Sequence, residues 1–331
     1  MPVQLNPSKV PIWQSESTLQ LGIGESDQRL QLVSSAQERL INLLFQGVAE
    51  DQLEVIGESV GLDAEDTNQL VERLRPSLLD KPSHVAANTS LDTRFAELMR
   101  IAFETNRATE DVIRNRADTR ILIPVLDRTG LTIAKVLAEA GFRNLVTRDY
   151  EMVSRNDLGE LGYRTNQLGI PRLSAARVLL EAAASTTQIF HENPKDKSQP
   201  TLVVISDMHR VIPSKYRNES LPHLGIEYGI SELRITGIIR FGVTACLGCR
   251  ELWEMENDEN WISNSIQLSA RGDFLDDGAS LLLASSIAAK TICSYIDGNS
   301  AQSVPGFRVN LKTRAITEFS WQPHPKCCCK T

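Results

Sequence analysis

Five of the six cysteines fall in two groups, Cys246-Leu-Gly-Cys249 and Cys327-Cys328-Cys329. Zinc takes four ligands at tetrahedral corners, and a C-x2-C turn supplies two thiolates with the right bite. The second pair is expected from Cys327 and Cys329, which lie on the same side of an extended stretch, with Cys328 turned away or standing in for one of them. Such a site pins the end of the domain to its middle. Two plainer readings exist: a redox pair at 246 and 249, or ordinary buried thiols. A redox C-x-x-C opens a helix after a strand and calls for no second thiol group. A structural zinc site is therefore the expectation, and Cys293, in an apolar helix-like run, is expected in the core.

A second place where chemistry could reside is the turn after Arg120-Ile-Leu-Ile-Pro-Val-Leu126, an almost continuous apolar strand. In a dinucleotide-binding frame that turn carries G-x-G-x-x-G and cradles phosphate on a helix N-terminus. With Gly130 as the third glycine, Val125 and Asp127 stand where the first two belong. A carboxylate about 4 Å from a phosphate repels it by about 1 kcal/mol even in bulk water. The turn is read as a plain strand-to-helix connection. Asp149, ending the next strand, sits where an acid can bind ribose hydroxyls, but an acid there is equally a turn or cap residue.

These residues require elements to hold them. The 120–126 strand, a helix over Leu131–Ala140 ended by Gly141, a strand Leu145–Thr147, a helix over Pro171–Ser185 and a strand Leu202–Asp207 alternate as a β-α-β series. Continuous apolar strands between helices imply a parallel sheet covered on both faces. Upstream, Leu19/Leu21/Ile23 and Leu30/Leu32 have the period of a hairpin across Gly24–Asp27, with Ile12-Trp13 a further apolar stretch. Three helices follow: one capped by Ser34 or Ser35 and running to Gly47, one over Gln52–Val60 stopped by Gly61, and one capped by Asp63 with Leu70, Val71, Leu74 and Leu78 at helical spacing. Strands and three short helices in about eighty residues make a winged-helix-like module. The expected organisation is this module over 1–82, a linker and helix over 83–119 (Thr93–Arg116 helical), and an α/β domain over 120–331.

The chain has 331 residues, 41% hydrophobic, with net charge −7. Residues 1–82 hold six basic and thirteen acidic side chains and so carry all of that charge. An acidic winged-helix unit, its third helix opening Ala64-Glu65-Asp66, is a poor partner for phosphates, so nucleic acid is not the expected ligand. No apolar run approaches the ~20 residues of a membrane span and no signal segment is evident, so no membrane is expected. With free thiols, the expectation is a cytoplasmic protein.

Taken together, Asp149-Tyr-Glu-Met-Val-Ser-Arg-Asn-Asp157-Leu-Gly, Leu168-Gly-Ile-Pro-Arg172, Val203-Val-Ile-Ser-Asp207, Leu221-Pro-His223-Leu, Thr244-Ala-Cys246-Leu-Gly-Cys249 and His324-Pro-Lys-Cys327-Cys-Cys329 resemble the E1/ThiF superfamily. Within it, nearly the whole chain is similar to the ThiF-like, leader-peptide-binding partners of azoline-forming (TOMM) cyclodehydratases. The resemblance implies an N-terminal RiPP recognition element, a Rossmann-like E1/ThiF domain and a tetracysteine zinc site. It implies that a precursor leader adds as a strand against the third strand and third helix, carried here by Gln28, Arg29, Leu30, Gln31, Leu32, Val33, Thr67, Leu70, Val71, Leu74 and Arg75. An exposed strand edge supplies that affinity without basic residues.

Active E1-like enzymes adenylate a carboxylate. Here two loop glycines are gone, Gly159-Glu160 stands where an Arg-Gln pair is common, and Arg172 replaces a lysine. The expectation is a subunit without catalytic residues and without bound ATP, which presents the precursor to a YcaO-type cyclodehydratase. A homodimer is compatible with the resemblance. The alternatives are an ATP-dependent E1-like enzyme adenylating a peptide carboxyl, as in the microcin type, and a zinc-containing winged-helix regulator. Cys246 and Cys249 as thioester nucleophiles lack an adjacent base. His223 is expected to be a hydrogen-bonded structural residue, and Trp253 and Trp261 core or interface aromatics.

Overall fold

The computed structural model describes residues 2–23, 28–32, 34–79, 97, 100–102, 107, 109–183, 186–193, 195, 199–206, 208, 216, 219–270, 276–298 and 304–330. The expected turn at Gly24–Asp27, Val33, the linker over 82–92, residues 93–96, 98–99, 103–106 and 108 of the helix expected from Thr93, and Asp207 lie outside them. The chain divides into two compact units, Met1–Arg114 and Asn115–Thr331.

In the first unit, β1 (Pro2–Val3) pairs with β5 (Val48–Ala49). Strands β2 (Pro11–Trp13), β3 (Thr18–Leu21) and β4 (Gln28–Gln31) form an antiparallel sheet in that order, with β4 at an edge among the described residues. The expected hairpin is present, and the Ile12-Trp13 stretch adds its third strand. Helix α1 (Ser35–Gln46) begins where the Ser34 side chain accepts the Gln37 amide. Helix α2 (Leu53–Val60) stops at Gly61, whose φ of 98° is open to glycine at no steric cost. Helix α3 (Ala64–Leu74) starts on Asp63, which accepts the Asp66 amide at 2.8 Å. Pro76 cannot donate into a helix, so α3 ends before Leu78, which instead bridges to Leu5. Leu19, Leu21, Leu30, Leu40, Leu44, Leu70 and Leu74 close the core of this unit.

In the second unit the strands are β6 (Arg120–Leu122), β7 (Asn144–Thr147), β8 (Gln188–His191), β9 (Leu202–Ile205), β10 (His223–Tyr228), β11 (Glu232–Ile235), β12 (Gly306–Asn310) and β13 (Ile316–Phe319). They form one sheet in the order β13-β12-β11-β10-β9-β6-β7-β8. The β10-β9-β6-β7-β8 half is parallel, and β11, β12 and β13 are antiparallel additions. Chain order reverses between β6 and β9, where a crevice opens at the carboxyl ends of the strands. The α-helices that follow in chain order include α4 (Thr109–Asp118), α5 (Arg128–Glu139), α6 (Arg172–Ala183), α7 (Leu247–Asn257), α8 (Trp261–Ala270) and α9 (Gly278–Ile296). The α/β expectation holds, with a large sheet whose β10-β9-β6-β7-β8 half is parallel.

Two sequence expectations are corrected. Strand β6 stops at Leu122 rather than 126, because Pro124 lacks the amide a ladder needs. Helix α5 begins at Arg128, three residues earlier than its apolar pattern indicates, because Asp127 caps it. The statement that no run approaches a membrane span is also corrected: α9 is long and apolar enough by length and composition, with half of its apolar window buried. Its Ala284, Ala288, Ala289, Ile292 and Cys293 pack in one cluster with Leu131, Leu137 and Ile235, so this helix serves the core. Its end is held by Asp297, which takes the buried Arg116 guanidinium from α4 at 2.7 and 3.0 Å.

Candidate functional site

Helix α7 organises the cysteines. Cys246 is its cap residue and Cys249 lies in its first turn, where the helix dipole favours thiolates. The same helix grips the segment that brings the second pair. Trp253 donates its indole N–H to the Gln322 carbonyl at 2.8 Å and meets the His324 ring edge-on. Glu256 faces His324 at 3.3 Å and Lys326 at 2.9 Å. His324 is buried, and its carbonyl accepts the Cys327 amide at 3.0 Å. Trp253, read from the sequence as a core or interface aromatic, thus positions this tail, and the His-Pro-Lys run orients the thiols after it.

The sulfurs of Cys246, Cys249, Cys327 and Cys329 all lie within 4.8 Å of one another. Three separations are 3.9 Å (Cys246–Cys249), 3.5 Å (Cys246–Cys327) and 3.3 Å (Cys249–Cys329). Zn–S bonds of about 2.3 Å set tetrahedral edges of about 3.8 Å, so the four thiols fit zinc. Cys328 is exposed and outside the cluster. Burial pushes the Cys246 thiol well above its usual range, whereas backbone and thiol hydrogen bonds overcome burial to bring Cys249 below it. A bound metal would hold all four as thiolates. Beneath the cluster, fully buried Arg250 donates to both Glu227 carboxylate oxygens at 3.0 Å, tying α7 to β10. Sequence spacing offered no signal for that pair, which is 23 residues apart.

At the switch point, the phosphate-binding geometry is filled by the chain itself. The Asp127 carboxylate accepts the Gly130 amide at 2.7 Å, so a built-in anion occupies the α5 N-terminus. Gly130 keeps the third glycine's packing role: a Cβ there would lie 2.1 Å from the Val125 carbonyl oxygen. Asp149 accepts the Leu126 amide at 2.6 Å and the Glu151 amide at 2.8 Å. Arg172 forks onto Asp157 at 2.9 and 3.1 Å and reaches Asp149 at 3.3 Å. Asp157 also accepts the Ser154 amide and hydroxyl at 2.7 Å. Asp149 and Arg172, which the resemblance would set at a ribose and a triphosphate, therefore pair with each other. Above them Tyr163 donates to the Leu126 carbonyl at 2.7 Å, and burial raises its phenol. Gly159 and Glu160 are exposed. What stays open is a cavity of about 520 Å³ lined by Arg128, Arg155, Asn156 and Asp276 among others. Arg128 stands 3.8 Å from Asp276, whose pKa burial raises.

His223 begins β10 with Nδ1 2.9 Å from the Leu221 carbonyl, a structural histidine whose pKa burial lowers. Trp261 is buried.

In the first unit the residues carried over from the resemblance separate into two sets. Leu30, Leu32, Thr67, Leu70 and Leu74 are buried and join sheet to helix. Arg29, Gln31 and Arg75 are exposed, with Gln28 and Val71 half-buried. Alternation along β4 puts one side chain in and the next out.

No family model matches the chain, and no curated protein matches it in sequence. Among solved structures it is similar to E. coli MccB with AMPCPP and MccA, and to MccB with ATP: each at 12% identity and a TM-score of 0.70, with all of both chains covered. It is also similar to PaaA, at 16% identity and a TM-score of 0.58, over 80% of this chain and 95% of that one. At these identities the likeness is one of fold.

Proposed function

We propose that this protein binds the leader of a ribosomally made precursor and presents its core to a YcaO-type cyclodehydratase that forms thiazoline or oxazoline rings. The filled turn carries the reading: Asp127 caps α5, and Arg172 binds both Asp149 and Asp157. Removing Arg172 from that cluster leaves two buried carboxylates, so it is not a charge held in reserve for ATP. The first unit is the leader clamp, a winged-helix-like recognition element. The leader adds as a strand beside β4, reading backbone at the edge and the outward side chains Arg29, Gln31, Val71 and Arg75. Zinc on the four cysteines ties the 322–329 segment to α7 and has no part in ring formation. The fold likeness to MccB, solved with MccA, supports a role in peptide biosynthesis.

In the ring-forming step the partner enzyme phosphorylates the amide oxygen after Cys, Ser or Thr attacks its carbon, and phosphate departs. Holding the precursor raises the core's local concentration at that enzyme, so a subunit without chemistry is needed for it. The neighbouring genes should encode a YcaO-type protein and a short precursor, and the test is reconstitution with them: ring formation, read as loss of one water per ring by mass spectrometry, should require this chain. Rings formed at the same rate without it refute the proposal.

A second reading is ATP-dependent adenylation of a peptide carboxyl. It is favoured by the whole-length likeness to MccB solved with ATP and by Arg128 and Arg155 in the open cavity. Calorimetric titration of Mg-ATP into zinc-loaded protein separates the two. Silence up to millimolar ATP supports the presenting subunit, and micromolar binding moves the assignment to the enzyme.

A further inference from the structure

We propose that Arg73 is a specificity-determining residue of the clamp, selecting a leader strand that carries one acidic side chain where it pairs with Gln31. The inference rests on the leader-binding reading above. The Leu32 amide donates to the Ser17 carbonyl on the β3 side. Backbone groups alternate sides along an antiparallel strand, so Leu30 also faces β3, while the amides and carbonyls of Arg29 and Gln31 face outward. Those are the groups an added strand must use. One is occupied: the Arg73 guanidinium, reaching from α3, donates to the Gln31 carbonyl at 2.8 Å.

Helix α3 is fastened at the other end of β4. The Gln28 side-chain amide donates to the Arg73 carbonyl and accepts the Ser77 hydroxyl at 2.6 Å. Arg73 therefore remains beside the edge when a strand enters, and its guanidinium needs a new acceptor. The adjacent Glu72 is already engaged by Arg75, whose Nε lies 3.0 Å from its carboxylate. A carboxylate on the incoming strand answers the need with a bidentate, charge-assisted pair. The rest of the unit, with thirteen acids against six bases over residues 1–82, repels a generally acidic strand. That field is screened over about 10 Å, whereas the Arg73 pair is a contact. The two effects together select a neutral or basic strand with acid at a single position.

The probe is a random peptide library, displayed as mRNA fusions and selected on the full chain, on Arg73→Ala and on Arg73→Glu. Wild type should enrich peptides sharing one Asp or Glu position; Arg73→Ala should lose that preference, and Arg73→Glu should turn it to Lys or Arg. In a synthetic winner, replacing the acid by its amide should weaken wild-type binding about tenfold, the size of one charge-assisted hydrogen bond, and leave Arg73→Ala unaffected. Winners without a shared acid, or a preference that survives Arg73→Ala, overturn this inference and leave the clamp standing. A wild-type selection that enriches no peptide overturns both.

Discussion

Two clusters of ionisable groups sit at helix N-termini in the α/β unit, one at α5 and one at α7. At α5 the members have opposite signs: Asp127, Asp149 and Asp157 against the amides and Arg172. Each charge meets its complement, and nothing further is required. At α7 the members are four thiols of one kind, 3.3 to 3.9 Å apart in the three measured pairs. Thiols can do little for one another, whereas a divalent cation satisfies all four. The difference is one of satisfaction: the α5 cluster is complete in the chain's own groups, whereas the α7 cluster has the geometry that a cation would complete.

The largest effect should come from the α7 cluster. Replacing Cys246 and Cys249 by Ser should abolish zinc, measured by metal analysis against about one ion in the native protein, and loosen the α/β unit, since structural zinc contributes on the order of 10 kcal/mol. Native protein without zinc would dissolve the comparison. Next, Arg172→Ala leaves Asp149 and Asp157 buried without their cation and should cost about 3–5 kcal/mol in denaturant unfolding. A loss under about 1 kcal/mol would mean the α5 cluster is not self-completing.

Asp127→Ala removes the α5 cap and should cost about 1 kcal/mol. The same variant sharpens the contrast, because freeing the helix N-terminus should leave Mg-ATP binding weak while Arg172 stays paired. Tight binding in the variant would show that Asp127 alone closed the site. The smallest effect concerns pH. Burial lowers the His223 pKa below its ordinary 6.5, so the unfolded chain takes up the proton first. Stability should therefore fall as pH drops below about 6.5, in a melting series that His223→Asn flattens. This slope is a background to acid release of zinc, which needs protonation of the thiolates.

Caps and turns were legible because their chemistry is local. Ser34, Asp63 and Gly61 act on residues within a few positions, and each ends or starts a helix as its type dictates. Asp127 is instructive: its charge sets the expectation against phosphate, and the same carboxylate starts α5 one turn early, which the apolar pattern starting at Leu131 concealed. Pairings across 15 and 23 residues, Arg172 with Asp157 and Asp149 or Arg250 with Glu227, have no periodic signature. The antiparallel addition of β11 to β13 was likewise not read, since edge and central strands of similar composition differ only in their neighbours.

In the first unit, sequence located β4 and α3 but not which of their side chains turn outward. Burial of Leu30, Leu70 and Leu74 against exposure of Arg29 and Gln31 follows from packing of sheet on helix. The sequence by itself determined the three helices of the first unit, the β6-α5-β7-α6-β9 series, the cysteine set and the Val125 and Asp127 side chains before Gly130, because spacing and residue type act at short range. Only the tertiary structure decided that Arg172 is consumed, that Trp253 and His324 deliver the second thiol pair, and that Arg73 lies on the β4 edge. Those outcomes depend on groups brought together by the sheet and its helices, and distance along the chain does not encode distance in space.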